Sequence, residues 1–181
     1  MFRVLTFAVL VSFAGIFTAK TTLAQNNEKV RISPKAEVMQ VVGFTEVRIQ
    51  YGSPGVKGRK IWGGLVPYNK VWRAGANEAT KITFADDVKI NGKKLKAGSY
   101  SFFAIPTKGE WTLIFNKVAD QWGAFEYNEA EDALRIKSGP VESCWQEWLK
   151  YEINKKTDSA AIITLEWEKL KVPFLVEVSI K

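Results

Sequence analysis

Hydrophobic and polar residues alternate along most of this chain. Val47, Ile49 and Tyr51 are interleaved with Glu46, Arg48 and Gln50, and Thr80, Ile82 and Phe84 share one side of a later run. Strict alternation places one set of side chains on each face of a strand. Val88 and Ile90 lead into Asn91-Gly92 and then Lys93-Lys94-Leu95. Both turn residues tolerate positive φ, so this stretch predicts a tight hairpin. Tyr100, Phe102 and Ala104 oppose Ser101, Phe103 and Ile105, and the return strand carries Trp111, Leu113 and Phe115 with Ile114 opposite. Large residues on both faces predict a central pair of strands.

The C-terminal third continues the pattern. Trp145, Leu149, Tyr151 and Ile153 form one expected face, Ile163, Leu165 and Trp167 a second, and Val172, Phe174, Val176, Val178 and Ile180 a third. Turns are expected at 155–158 and 169–171, and a helical turn near 128–133. About nine to eleven short strands with hairpin connections predict an all-β domain. A mostly antiparallel β-sandwich, jelly-roll-like in one version, buries such faces; a closed barrel is the alternative.

Residues 1–24 break the pattern. A basic start at Arg3 precedes an apolar run from Val4 to Ala19, and Thr22 and Ala24 place small residues before a cut. This order is that of a secretory signal peptide, and the run is shorter than the about 20 residues of a membrane span. The expectation is an exported protein, periplasmic or extracellular, with one domain over 25–181 and no integral membrane segment after cleavage. Removing Arg3 and Lys20 leaves 24 basic against 19 acidic side chains. That balance is mildly basic and is no nucleic-acid signature.

The chain of 181 residues has no histidine and one cysteine. This excludes His-based nucleophile systems, HExxH zinc sites and an intramolecular disulfide. Cys144 is expected as a buried, inert thiol. Asp86-Asp87 and Glu129-Glu131-Asp132 lack EF-hand spacing, so no metal is expected, and no cofactor. Ser53 and Ser143 have no histidine partner. Glu78, Glu110, Glu126 and Glu129 supply carboxylates, but no spacing sets two of them together as a glycosidase requires.

Residues 51–80 do not alternate. The stretch is rich in Gly and Pro, yet it holds two Trp, two Tyr and two Arg. A long irregular segment with large anchors is often a functional loop. Trp62, Tyr68 and Trp72 would pin it, while Arg59, Lys60, Arg73, Asn77 and Glu78 would supply polar groups beside apolar walls, the composition of a small-molecule site. The architectural alternative makes the tryptophans core, Arg73–Glu78 an internal ion pair and Asn77 a turn residue. Trp111, Trp145 and Trp167 are expected in the core, and Trp148 facing out. Trp122, in a second glycine-bearing loop, would join Trp62 and Trp72 in an aromatic cleft if the loops converge. The candidate ligand-binding set is therefore Arg59, Trp62, Trp72, Arg73, Asn77, Glu78 and Trp122, with no catalytic residue assigned.

Several motifs are familiar: Ser33-Pro34-Lys35, Tyr51-Gly52-Ser53-Pro54, Gly58-Arg59-Lys60-Ile61-Trp62-Gly63-Gly64 and Trp72-Arg73-Ala74-Gly75-Ala76-Asn77-Glu78-Ala79-Thr80. With Ala97-Gly98-Ser99-Tyr100-Ser101 and Gln121-Trp122-Gly123-Ala124, the chain resembles, over roughly 30–180, a family of exported bacterial proteins sharing a domain of unknown function. The resemblance implies export and one domain, and it assigns no activity. The expected role is a non-catalytic module binding a small molecule, a glycan or an envelope component. The alternatives are a histidine-free carboxylate hydrolase acting on a glycan and a structural protein of the envelope.

Overall fold

The computed structural model describes residues 30–180. The signal peptide expected over 1–24, and most of the lead-in over 25–33, lie outside the described residues. Ten strands form two antiparallel sheets. β1 (Lys35–Val42), β2 (Thr45–Gly52), β3 (Thr80–Phe84), β6 (Gly98–Ile105), β7 (Trp111–Asn116) and β8 (Asp132–Ser138) lie side by side in that order. The second sheet has the order β5 (Lys93–Leu95), β4 (Val88–Ile90), β10 (Ala160–Val178), β9 (Val141–Thr157). The first sheet is a meander that lends the β4–β5 hairpin to the second, a simpler path than the interleaved Greek keys of a jelly roll.

The alternating faces meet between the sheets. Val47, Ile49, Ile82, Phe102, Leu113 and Phe115 of the first sheet pack against Leu149, Ile163, Leu165, Phe174 and Val176 of the second. Asn91 and Gly92 take positive φ, as the hairpin requires. The expected helical turn is a single 3-10 turn, Glu129–Glu131, which Asn128 caps by accepting from the Ala130 amide through its side-chain oxygen. Among the described residues no helix is long and apolar enough to cross a membrane.

Four expectations fail, three for one reason. Residues 169–171 are not a turn, because β10 runs unbroken from Ala160 to Val178. Glu168 instead takes a φ of 58°, and the pairing with β9 slips on both sides of it. The bulge reverses the phase of the strand: Ile163, Leu165 and Trp167 point inward before it, Val172, Phe174 and Val176 after it. On β9 the same slips carry Trp145 off the core face, leaving it 53% exposed. Cys144, expected buried, is exposed on this displaced stretch. Ile180 lies beyond β10 and is also exposed.

The loop tryptophans enter the core. Trp62 stands edge-on to Trp72, Trp111 and Trp167 at centroid distances of 5.8, 4.8 and 5.9 Å, and Trp72 stacks on Trp167 at 6.0 Å. Trp111 belongs to the first sheet and Trp167 to the second, so Trp62 and Trp72 wedge between the two. A buried tryptophan removes ~150–250 Å² from water, about 4–6 kcal/mol at ~25 cal/mol/Å², an upper bound. Trp62 Nε1 is buried with no acceptor among the described residues. Trp62→Ala is therefore expected to lower stability by about 3–5 kcal/mol in urea unfolding. Trp62→Phe is expected to cost well under half of that, because it keeps most of the ring and discards only an unpaired N–H.

Candidate functional site

The site segment begins as an interrupted strand. Trp72 exchanges backbone hydrogen bonds with Ala104 of β6 at 2.8 Å in both directions, and Thr80 lies opposite Phe102 on the same strand. Positions two apart on β6 thus receive residues eight apart in the loop, and 73–79 leave the sheet as a closed excursion. The Thr80 amide closes it by donating to the Arg73 carbonyl at 3.2 Å.

Buried polar groups hold the excursion. The Ala74 carbonyl accepts from the Tyr151 hydroxyl at 2.7 Å and from Thr80 Oγ1 at 2.9 Å. Ala74 and Asn77 sit at φ of 52° and 63°. Alanine pays for that conformation, roughly 1–2 kcal/mol, so its surroundings must impose it. The Ala76 amide donates to the Gly52 carbonyl at 3.1 Å. A Cβ on Gly52 would stand 2.1 Å from the Ala76 oxygen, so only glycine permits this approach.

The loop carrying Trp122 lies alongside. The Ala79 amide donates to Gln121 O and the Gly123 amide to Asn77 O, at 2.9 and 3.1 Å. Beneath it a small second core forms on the outer face of the first sheet, where Ala79, Phe103 and Ile114 are buried with Val71, Ala124 and Tyr127 against them. The large residues on both faces of β6 and β7 are thereby explained: their outer face carries the site loops.

Two cavities open on either side of the excursion. The first, ≈ 270 Å³, is bordered by Arg59, Trp72, Arg73 and Asn77 of the expected set. The second, ≈ 310 Å³, is bordered by Glu78 and Trp122, with Lys35, Lys81 and Asp120. Trp62 borders neither. The single aromatic cleft is not formed: Trp62 and Trp72 are core residues, while Trp122 is 61% exposed.

Glu78 does not pair with Arg73. Arg31 Nη1 donates to both of its carboxylate oxygens, at 2.9 and 2.8 Å. Burial raises the proton affinity of Glu78, but its own backbone amide, the Arg31 guanidinium and Lys35 outweigh this and hold its pKa below the usual carboxylate range. Asp120, across the same groove, pairs with Lys81 at 2.8 Å. A hydrolytic carboxylate pair needs one member whose pKa is raised, and Glu78 is shifted the other way.

Arg73 has no partner among the described residues. Among the described residues none of its N–H groups donates to an acceptor, no carboxylate lies in salt-bridge reach, and its Nε is buried and unsatisfied. Burial alone holds its pKa below the usual arginine range. Its Nη1 extends under the second loop, 3.8 Å from where a Cβ on Gly123 would stand. Arg59, in contrast, is spent on its own loop, donating to Val56 O at 3.0 Å and Gly55 O at 2.5 Å. Lys57 Nζ sits over the Trp148 ring at 5.4 Å. Among the described residues no acidic residue lines the first cavity. Asn77 is the turn residue of the architectural reading, and its amide ties down the Ser33 carbonyl at 3.2 Å.

Ile32, Leu65 and Trp167 add apolar wall to this cavity, and Ser33 lines it beside Ile32. None stood out by pattern. Ile32 and Ser33 belong to the lead-in, and Trp167 reads as plain core. Among the described residues no group of three His, Cys, Asp or Glu side chains is placed to hold a metal.

Tyr151 gives a test of the excursion's clamp. Burial pushes its phenol well above the ordinary tyrosine range, opposed by a hydrogen bond with Thr80 and assisted by Tyr51. An unfolded tyrosine ionises near pH ~10. The raised folded value contributes stability that is complete below that pH and is lost as pH rises through the folded pKa. Tyr151→Phe is expected to lower stability by about 1 kcal/mol near neutral pH through the lost hydrogen bond. It is also expected to lessen the loss of stability above about pH 10. Urea unfolding midpoints on both sides of that pH check both effects.

The family comparison covers most of the described residues. Residues 33–176 match the family described as "Protein of unknown function (DUF2911)". No curated protein and no solved structure matches the chain. The match takes in both sheets, the 73–79 excursion and both cavities, and the chain belongs to this family of unknown function.

Proposed function

We propose that this domain is a non-catalytic binding module, working outside the cytoplasm, that takes a small anionic ligand in the cavity beside Arg73. One observation carries the reading. Arg73, a half-buried residue whose guanidinium has no counter-charge among the described residues, borders a cavity that no acidic residue among them lines. Leaving a partly desolvated charge unpaired is costly, and a protein that keeps one gains little stability from it. An anion arriving there meets a cation already stripped of part of its water, where Coulomb attraction exceeds that at an open surface.

Export supports the same reading without entering its geometry. The apolar segment over 4–19 and the small residues at Thr22 and Ala24 fit a cleaved signal peptide. A binding module in that compartment meets free metabolites and envelope components rather than nucleic acid.

Thermal unfolding with acetate, citrate, phosphate and sulfate, each added in turn to the mature chain, tests the reading. At least one anion is expected to raise Tm, by the equivalent of about 2.7 kcal/mol at a concentration of 100 Kd. Arg73→Met is expected to lose that response while matching or exceeding the wild type in stability without ligand, because it removes an unpaired charge. Equal stabilisation of both proteins, or of neither, overturns the proposal.

A further inference from the structure

Resting on that reading, we infer that the ligand is a small monocarboxylate with an apolar body, its carboxylate on Arg73 and its hydrocarbon against Trp72, Leu65 and Ile32. Three features of the cavity narrow the class.

The first is charge. Lys57, Arg59 and Arg73 all border the cavity, but their donors are not equally free. Two of Arg59's nitrogens already donate to Gly55 and Val56 carbonyls, and Lys57 lies over Trp148. Neither contact neutralises a charge, but only the Arg73 guanidinium keeps all its donors without an acceptor among the described residues, and one free guanidinium edge suits one carboxylate. A guanidinium edge presents two parallel N–H groups that meet the two oxygens of a carboxylate together.

The second is the backbone. Phosphate sites draw on clusters of free amides at helix N-termini or in turns. Here the amides of Val56, Arg59 and Ala76 are already bonded, to Glu147 O at 2.8 Å, Val56 O at 3.0 Å and Gly52 O at 3.1 Å. The cavity borders no helix N-terminus, and of its lining amides those of Gly75 and Asn77 are left without an acceptor among the described residues, a smaller set than the clusters that hold a phosphate dianion.

The third is size and wall chemistry. At ≈ 270 Å³ the cavity falls just below the usual range of ligand pockets, which run from ~300 Å³. A glycan chain does not fit inside it. Its walls include Ile32, Leu65, Val66, Trp72 and Trp167, so a compact aromatic or branched aliphatic group suits it better than a sugar. Ile32 and Leu65 are 79% and 48% exposed, and a ligand's apolar part would cover them.

The test titrates the mature chain with benzoate, phenylacetate, 3-methylbutanoate and hexanoate, each beside its neutral amide, and with inorganic phosphate and sulfate. Calorimetry and tryptophan fluorescence report binding, since Trp72 and Trp167 border the cavity. At least one carboxylate is expected to bind, its amide at least about tenfold more weakly, a difference of about 1.4 kcal/mol. Arg73→Met should lose that discrimination, and Leu65→Ser, at a half-exposed position, should weaken the hydrocarbon acids but leave acetate, titrated beside them, unchanged. Phosphate or sulfate binding at Arg73 with every carboxylate silent overturns the ligand class and leaves the anion-binding reading standing. Silence from all the anions overturns both. Equal binding of acid and amide overturns the ligand class by showing that Arg73 reads no charge.

Discussion

Trp62 is the constraint on which the rest of this structure depends. A Gly-rich loop would ordinarily move freely at the end of a sandwich. Here its indole lies between Trp111 of one sheet and Trp167 of the other, with Trp72 closing the group. Withdrawing the loop would open a cavity the size of two indoles between the sheets, and interiors packed like crystals do not tolerate such a void. The loop is therefore as fixed as the strands. Its backbone joins the sheet edge as well, since Val56 donates to Glu147 O and Leu149 to Pro54 O, covering part of the exposed flank of β9.

Once Trp72 is core, Arg73 has little freedom. Its neighbour on one side is held by β6 and its neighbour on the other by two hydroxyls on one carbonyl. The positive φ at Ala74 follows from this over-determination: the hydrogen bonds and the close approach of Gly52 offset the strain. Rigid support of this kind is what positions a binding group. The ring cluster supplies the apolar wall and the excursion supplies the charge, so packing and chemistry meet at two adjacent residues.

The strands were legible because one face of each is buried and the side-chain period is two. Ile49, Ile82, Phe102 and Leu113 show this, and Asn91-Gly92 shows the hairpin. What escaped was every feature that depends on a change of phase or on partners far along the chain. Glu168 gives no local sign that it will bulge, yet it converts two apparent strands into one and sends Trp145 and Cys144 to the surface. The excursion at 73–79 was legible as irregular but not as an insertion, because its ends find each other only through β6. The candidate residues divided for the same reason. Asn77, Arg59, Trp72 and Arg73 border one cavity, while Glu78 turns away to Arg31, a residue of the lead-in that no spacing connects to it.

The absence of histidine acquires a physical meaning at this cavity. Histidine is the side chain whose ordinary pKa falls near neutrality, and this chain has none. The groups around the cavity are arginine, lysine, an amide and hydrocarbon. Burial pulls the Arg73 pKa downward, but an arginine starts so far above neutrality that it stays charged. Outside the cytoplasm, where we propose that the module works, it would meet the acidity of its surroundings without cytoplasmic buffering. A cavity built on Arg73 presents the same charge throughout that range, so the ligand's own ionisation, and not the protein's, decides when the two attract.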